Sequence, residues 1–472
     1  MQPTFDPWTA FTVGADVAAA ASASAGDLAA RQSRRLTALL SSAARRSPFY
    51  RRLFGAGDAS RLRLQDLPVT RKPELMKRFS EWVTDPAIRL DDLRRFTADP
   101  SRIGEPFLGR YIAWESSGSS GEPAVFVQDA MAMAVYDALE ALRRPELRPL
   151  RRFLDPWGLA ERMVFVGATG GHFASAVSVE RLRRLNPMLS SRLRSISFLQ
   201  PVASLVAELQ ASAPTVIATY PSAAVLLAEE RLAGRLSIAP REIWTGGETL
   251  TPAMRRFVAR AFDCPVVNSY GASEFLSLAC ECRCGSLHLN SDWAILESVD
   301  ENGAAVQPGT AGTATLLTNL ANHVQPIIRY DLGDRVTMAA AACACGSHLP
   351  VLEVEGRCDD TLHLGAPDEP TVKILPLAVT TVLEDDAGLF EFQLVQTGPD
   401  ALELCIGARG EAALGRLRHA RTVLAAFLAR QGAHRVRIRC RTGRPCRLGR
   451  TGKLQRVIAA PAAPPGSRRP AR

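Results

Sequence analysis

Residues 242–274 read EIWTGGETLTPAMRRFVARAFDCPVVNSYGASE. Glu242–Thr245 is a short, largely apolar run, and Pro265–Ser269 is another. Between them, Pro252–Phe262 reads as a helix. The unit is therefore strand, turn, helix, strand. The same alternation extends upstream. Met163–Val166 and Thr215–Ala218 read as buried strands, and Val202–Gln210 and Ser222–Ala233 as helices. Strands and helices in alternation predict an α/β domain with a mostly parallel sheet. Such sheets place ligands at the C-terminal ends of their strands. Here one of those ends is Ser269-Tyr270-Gly271-Ala272-Ser273-Glu274.

Upstream, residues 1–30 are low in complexity and read as mobile or peripheral. Leu28–Phe54 has helical periodicity, Thr70 is the cap candidate of the next helix, Tyr111–Glu115 reads as a strand and 130–144 as a helix. Downstream, residues 286–340 are β-rich, with turns at Asn302-Gly303 and Pro308-Gly309. Beyond Gly356 a smaller α+β domain follows, with strands at Phe390–Gln396, Ala401–Ile406 and Val436–Arg439 and a helix over Ala412–Gln431. The expected division is a large N-terminal domain over 1–355, a small mobile α+β domain over 356–460, and a disordered Pro/Arg tail over 461–472.

Composition removes several function classes. No run of about 18 apolar residues exists, so a membrane span is not expected, and a cytoplasmic location is. Lys and Arg total 57 against 48 Asp and Glu, a net charge of +9, but aromatics are only 6% and no nucleic-acid module is present. The basic balance reads as a solvated surface, with attraction of an anionic nucleotide or CoA as the alternative, and no nucleic-acid partner is expected.

Five short stretches carry chemistry. In Glu115-Ser116-Ser117-Gly118-Ser119-Ser120-Gly121-Glu122-Pro123, small residues leave backbone N–H groups free and hydroxyls can donate to phosphate oxygens. No Gly-Lys-Ser/Thr follows, so it is not a Walker A loop. In the second, Tyr270 offers a stacking face and Glu274 a hard oxygen ligand for Mg²⁺. The third, Arg329-Tyr330-Asp331-Leu332-Gly333-Asp334, ends on a carboxylate able to accept both hydroxyls of a ribose. Gly356-Arg357-Cys358-Asp359-Asp360 and Arg450-Thr451-Gly452-Lys453-Leu454 complete the set.

In this order, and together with Gly246-Gly247-Glu248, these stretches resemble the adenylate-forming superfamily of acyl-CoA synthetases, carrier-protein adenylation domains and luciferases. Within it the chain is most similar to the phenylacetate–CoA ligase branch, over about residues 65–460. The resemblance implies that Ser116 to Gly121 wrap the pyrophosphate end of ATP. It implies that Gly246, Gly247, Glu248, Asn268, Ser269 and Tyr270 border the adenine, with Gly271, Ala272 and Ser273 completing the nucleotide turn. Glu274 would hold Mg²⁺, Asp334 the ribose hydroxyls, and Arg357 would lie near the ribose or phosphate. Asp359 would be the hinge of the small domain, which carries Lys453 to the carboxylate and α-phosphate. Glu122 departs from the pattern, standing where a Lys is frequent, and Asp331-Leu332 stands where Arg-Thr is more usual. The stretch 164–173, with Gly170, Gly171, His172 and Phe173, would border the acid, joined by Tyr136 and Tyr220 in an acyl pocket.

Four of the ten cysteines form two Cys-x-Cys-Gly pairs, Cys282/Cys284 and Cys343/Cys345. Two pairs closing one tetrahedral site predict a structural Zn²⁺, with Cys280 and His288 as substitute ligands. Metal-bearing members of the same branch carry a similarly stapled β-region. The expected reaction is ATP-dependent activation of a carboxylic acid, aromatic by the same resemblance, to an acyl-adenylate, followed by transfer to CoA. A carrier-protein thiol or an amine is the alternative acceptor, and a catalytically silent, zinc-stapled nucleotide-binding protein the second alternative. A homodimer is the expected assembly.

Overall fold

The computed structural model describes residues 4–444 and 456–459, except 56, 117–123, 145–160, 168, 198–199, 201, 358–361, 366–370, 375–378, 380–381 and 390. Most of the Ser/Gly loop, the hinge candidate Asp359, Lys453 and the tail expected over 461–472 lie outside the described residues. The chain divides after Glu355 into two compact units, 1–355 with 449–453, and 356–448 with 454–472.

The first unit is built on a nine-stranded mixed sheet. Its parallel part runs β4 (Leu193–Ser197), β3 (Met163–Gly167), β5 (Val216–Thr219), β6 (Glu242–Gly246), β7 (Val266–Ala272). The sheet then turns antiparallel through β8 (Phe275–Glu281), β9 (Leu287–Leu289) and β14 (Val351–Arg357), and ends on β13 (Asp334–Met338). Helices Val202–Ser212, Pro221–Leu232 and Pro252–Phe262 cross between the parallel strands, as their periodicity predicted. The mixed α/β class expected from the alternation is thus the observed one. Two small sheets adjoin it: the β1–β2 ribbon (Ile112–Glu115 with Val125–Gln128), and β10 (Ala294–Val299) with β11 (Ala314–Asn319) and β12 (Tyr330–Asp331).

Two local expectations are corrected. Most of the segment read as mobile, 1–30, is helical: Pro7–Ala20 and Ala25–Arg46. Ala-rich segments have high helix propensity, and both helices are capped, by Asp6 with Pro7 at the first turn and by Ser24 accepting from Asp27 N–H. Val13 and Val17 are buried, each contributing about 1.5–3 kcal/mol of transfer free energy. Arg31 and Arg35 pair with Asp16, and Arg35 lies over the Trp293 ring at 3.5 Å from its centroid. Arg35 and Arg143 both reach the fully buried Asp292 carboxylate, at 3.9 and 2.8 Å. Nor is Thr70 a helix cap. The helix Lys72–Lys77 starts after Arg71, while Thr70 forms a parallel bridge to Tyr330 and donates its hydroxyl to Ile328 O at 2.9 Å. Pairing with a distant strand outcompeted the local cap.

In the second unit the sheet order is β19 (Arg437–Thr442), β18 (Ala401–Ile406), β17 (Gln393–Gly398), β20 (Val457–Ile458). Helix Glu411–Arg430 connects β18 to the parallel β19 and buries Ala413, Leu417, Ala420, Leu424 and Leu428 with the core of this unit. A hairpin of β15 (Leu362–Leu364) and β16 (Val372–Ile374) completes it.

Candidate functional site

The C-terminal ends of β6 and β7 lie side by side, Gly246 opposite Ser269. The contact is close: a Cβ at 246 would stand 2.9 Å from Ser269 Oγ and 3.1 Å from its carbonyl oxygen, so a side chain there would have to displace the Ser269 hydroxyl. Beyond β7 the chain bulges at Gly271 and reverses into β8, with Ala272 opposite Phe275. A Cβ at Gly271 would sit 1.9 Å from Leu276 O, so glycine is obligatory for the turn that presents Ser273 and Glu274. The turn is fixed from below by two buried donors: Trp114 Nε1 to Ser273 O at 2.8 Å, and Asn319 Nδ2 to Glu274 O at 2.9 Å. Glu274 itself is 9% exposed.

Two residues 64 positions apart meet here. Tyr270 Oη donates to Asp334 Oδ2 at 2.7 Å. Asp334 opens β13 directly after Gly333, whose φ of +69° places it in the left-handed region and whose N–H donates to Asp331 Oδ1 at 3.0 Å. Asn268 accepts from Thr245 Oγ1 at 3.1 Å, tying β7 to β6. Glu248 turns its Oε2 to the N–H of Ser222, at 3.1 Å, at the start of helix Pro221–Leu232. Its carboxylate is thus engaged with that helix terminus.

The base of the Ser/Gly loop is described at Ser116 and Ala124, which close the ribbon: Ser116 N–H donates to Ala124 O at 2.8 Å and Ala124 N–H to Ser116 Oγ at 2.9 Å. Ser117, Gly118, Ser119, Ser120 and Gly121 lie outside the described residues. Next to that base runs the segment expected to border the acid. Glu115 N–H donates to His172 O at 2.7 Å, and Glu115 pairs with Phe173. Cβ placement at Gly171 would meet the Phe173 ring at 3.0 Å. His172 is buried with its ring 5.3 Å from that of Phe96, and burial holds its pKa below the ordinary imidazole value. Tyr220 faces Phe165 at 6.4 Å, and burial pushes its phenol up to about 12. Tyr136, expected in the acyl pocket, is buried. It is a core residue under the β7–β8 turn, its ring 4.9 Å from Phe275 and 6.3 Å from Trp114, and its hydroxyl accepts from Asn319. It supports the Glu274 turn through Asn319, whose amide also donates to the Glu274 carbonyl. Arg357 ends β14, whereas Lys453 and Asp359 lie outside the described residues.

The cysteine pairs converge, with one exchange. The ligand atoms of Cys282, His288, Cys343 and Cys345 all lie within 4.8 Å of one another. His288 takes the place expected for Cys284. It sits on β9 between β8 and β14, and its Nδ1 donates to Leu349 O at 2.8 Å. A carbonyl only accepts, so Nδ1 carries the proton and Nε2 keeps its lone pair, 3.4 Å from Cys345 Sγ. Cys284 stays exposed at the rim, its N–H donating to Cys282 Sγ at 3.3 Å, because the turn that points the first cysteine inward spends the amide of the second on it. Ser347 N–H serves Cys345 Sγ likewise at 3.5 Å. Hydrogen bonds, foremost from the Cys345 amide, bring the Cys343 thiol down to about 6. Three thiols and one oriented imidazole fit a tetrahedral soft-metal site. Cys280 lies off the cluster, its sulfur 3.6 Å from Ser277 Oγ.

The fold is that of acyl-adenylate-forming ligases. A 2-hydroxyisobutyryl-CoA ligase, solved in the postadenylation state with an acyl-AMP, superposes with a TM-score of 0.66 at 20% identity, covering 91% of this chain and 89% of that one. An anthranilate CoA ligase holding anthranoyl-AMP reaches 0.50 at 17% identity, over 73% of this chain and 64% of that one. In sequence, residues 192–320, from β4 to β11, match the family model of AMP-binding enzymes. Protein CapK of Staphylococcus aureus is 33% identical over 103 residues, which span 22% of this chain and about a fifth (21%) of CapK. No helix among the described residues is long and apolar enough to cross a membrane.

Proposed function

We propose that this protein activates a carboxylic acid with ATP, forming an acyl-adenylate and pyrophosphate, and transfers the acyl group to the thiol of CoA. The observation that carries the reading is the Tyr270–Asp334 hydrogen bond at the C-terminal end of β7. It joins an aromatic face suited to adenine and a carboxylate suited to ribose hydroxyls, beside the glycine turn that presents Glu274. The AMP-binding match over 192–320 covers the Tyr270 half of this pair.

In this reading the acid carboxylate attacks the α-phosphorus while pyrophosphate leaves. Charge collects on phosphoryl oxygens, so the chain's task is positioning and cationic stabilisation. Ser116 to Gly121 would hold the leaving phosphates. Gly246, Gly247, Asn268, Ser269 and Tyr270 would border the base, and Asp334 would fix the ribose. Glu274 would carry Mg²⁺, which neutralises phosphate charge when bound. Lys453 would meet the carboxylate and α-phosphate, Arg357 would lie near the nucleotide, and Asp359 would act as the hinge. Gly170 to Phe173 and Tyr220 would border the acid. The aromatic residues His172, Phe173 and Tyr220 at this border support a small aryl or arylacetic acid, the phenylacetate–CoA ligase type. The Cys282/His288/Cys343/Cys345 cluster would hold a structural Zn²⁺, since four protein ligands leave no position for substrate.

Acid-dependent ATP–pyrophosphate exchange over a panel of acids tests the first step, and CoA-dependent thioester formation the second. Exchange without thioester would move the acceptor to a carrier-protein thiol or an amine. MgATP binding without exchange on any acid would leave only nucleotide binding.

A further inference from the structure

The end of β11 and the loop after it carry three side-chain amides at a spacing of three, Asn319, Asn322 and Gln325, each no more than 1% exposed. Asn322 Nδ2 donates to Val127 O at 2.8 Å, Gln325 Oε1 accepts from Val127 N–H at 2.7 Å, and Gln325 Nε2 donates to Val125 O at 3.0 Å. All three backbone groups belong to β2. The β1–β2 ribbon is a two-stranded sheet, marginal by itself, and the amides pair it as a third strand would. Asn319 then ties this assembly to the nucleotide turn. Its Nδ2 donates to Glu274 O and to Tyr136 Oη, both at 2.9 Å, while its Oδ1 accepts from the N–H groups of Ala321 at 2.9 Å and Asn322 at 3.2 Å. Asn322 repeats the pattern on Val324 and Gln325.

An apolar loop would fill the same space without the desolvation cost of these amides. What amides add is register. A slip of the ribbon by one residue would shift β2, the strand that follows the Ser/Gly loop, by about 3.3 Å and turn its side chains to the opposite face. Both ends of the network terminate on backbone that carries the proposed chemistry: the Glu274 carbonyl, and the strand that leaves the Ser/Gly loop.

We propose that Asn319, together with Asn322 and Gln325, is a positioning residue that sets the phosphate-loop ribbon in register with the Glu274 turn. This rests on the adenylation reading above. The predicted signature is a Mg²⁺ and nucleotide defect without an acid defect.

The test is Asn319→Asp. It keeps an oxygen for the Ala321 and Asn322 amides but sets another oxygen against Glu274 O. In acid-dependent pyrophosphate exchange, the half-saturating Mg²⁺ concentration and the KM for ATP should both rise about 10-fold, from the loss of a buried donor, while the KM for the acid stays within about 2-fold. Tyr136→Phe, which removes only the hydroxyl, should move the same two constants in the same direction by about 2- to 5-fold, and it decides the matter if Asn319→Asp does not fold. Folded variants with wild-type Mg²⁺ dependence and ATP KM overturn the proposal. If the wild type binds MgATP but exchanges with no acid, the ligase reading fails separately. The same variants are then compared by calorimetric titration of ATP at several Mg²⁺ concentrations, where an unchanged Mg²⁺ dependence again overturns the positioning role. A wild type that binds no nucleotide overturns both.

Discussion

Tyr270→Phe isolates the contact on which the ribose assignment stands. The substitution keeps the ring, its stacking face and nearly all its volume, and deletes one oxygen. That oxygen donates at 2.7 Å to Asp334, and both residues are 8% exposed, so water does not readily replace the bond. A hydrogen bond to a charged group contributes about 1.5–3 kcal/mol, which corresponds to roughly 10- to 100-fold in a binding constant. The KM for ATP in pyrophosphate exchange should rise within that range, with kcat reduced less. The decisive comparison uses 2′-deoxy-ATP and 3′-deoxy-ATP. If Tyr270 acts by orienting the Asp334 carboxylate toward the ribose, the wild type discriminates against one or both analogues and Tyr270→Phe discriminates much less. Asp334→Asn should abolish the same discrimination, and the double variant should be no worse than the worse single one, because contacting residues acting as a unit are non-additive. Additive losses, or full discrimination retained in Tyr270→Phe, would refute the coupling and with it the ribose assignment.

Metal analysis of the purified protein should find about one zinc per chain. His288→Gln and Cys343→Ser should each lower zinc content and melting temperature, while Cys284→Ser leaves both near wild type; zinc lost on Cys284→Ser would restore the four-cysteine set. Lys453→Ala should depress acid-dependent exchange by roughly a hundred- to a thousandfold, as for removal of one charge-stabilising donor, and leave MgATP binding intact; exchange at the wild-type rate would dismiss the role. Stability should also carry an imidazole signature. Burial lowers the pKa values of His172 and His323 in the folded state below 6.5, so the unfolded chain binds these protons more readily. Their contribution is present above pH 6.5 and is lost as pH falls from there through the folded-state values. The melting temperature should decline across that window, and less steeply in His172→Phe; an identical slope in the variant would count against a buried neutral His172.

The periodicities that defined the fold are local and survive intact. The run 242–274 folds as strand, helix and strand because apolar spacing and the Thr251 cap agree with tertiary packing. What escaped the sequence depends on distance. The Cys-x-Cys spacing favours Cys284 over the substitute His288 until β9 is seen to pair with both β8 and β14, which brings the imidazole to the cluster. Tyr136 reads as a pocket aromatic because its helix follows the Ser/Gly loop, yet packing against Phe275 buries it. The amides at 319, 322 and 325 left a faint trace, uncharged polar residues every third position in an apolar loop, which reads as an ordinary turn until β2 is placed beside it. The Ala-rich helices were masked by composition: low complexity describes the alphabet, whereas capping and two buried valines decide the structure.

The Asp16, Arg35 and Asp292 linkage has a consequence for the order in which the chain assembles. Residues 7–46 leave the ribosome long before residues 291–293, which hold Arg35 through the Asp292 carboxylate and the Trp293 ring. At roughly 5–20 residues per second, the interval over some 250 residues is on the order of 10–50 s. Helix Pro7–Ala20 can pack on Ala130–Leu142, and helix Ala25–Arg46 on Pro48–Phe54, well before that, but Arg35 waits for the Asp292 carboxylate and the Trp293 ring. The Arg35 seat is thus made early and completed late, after the apolar contacts of its own helix have formed. A ribosome pause between the two regions would lengthen that wait without altering a single contact in the finished protein.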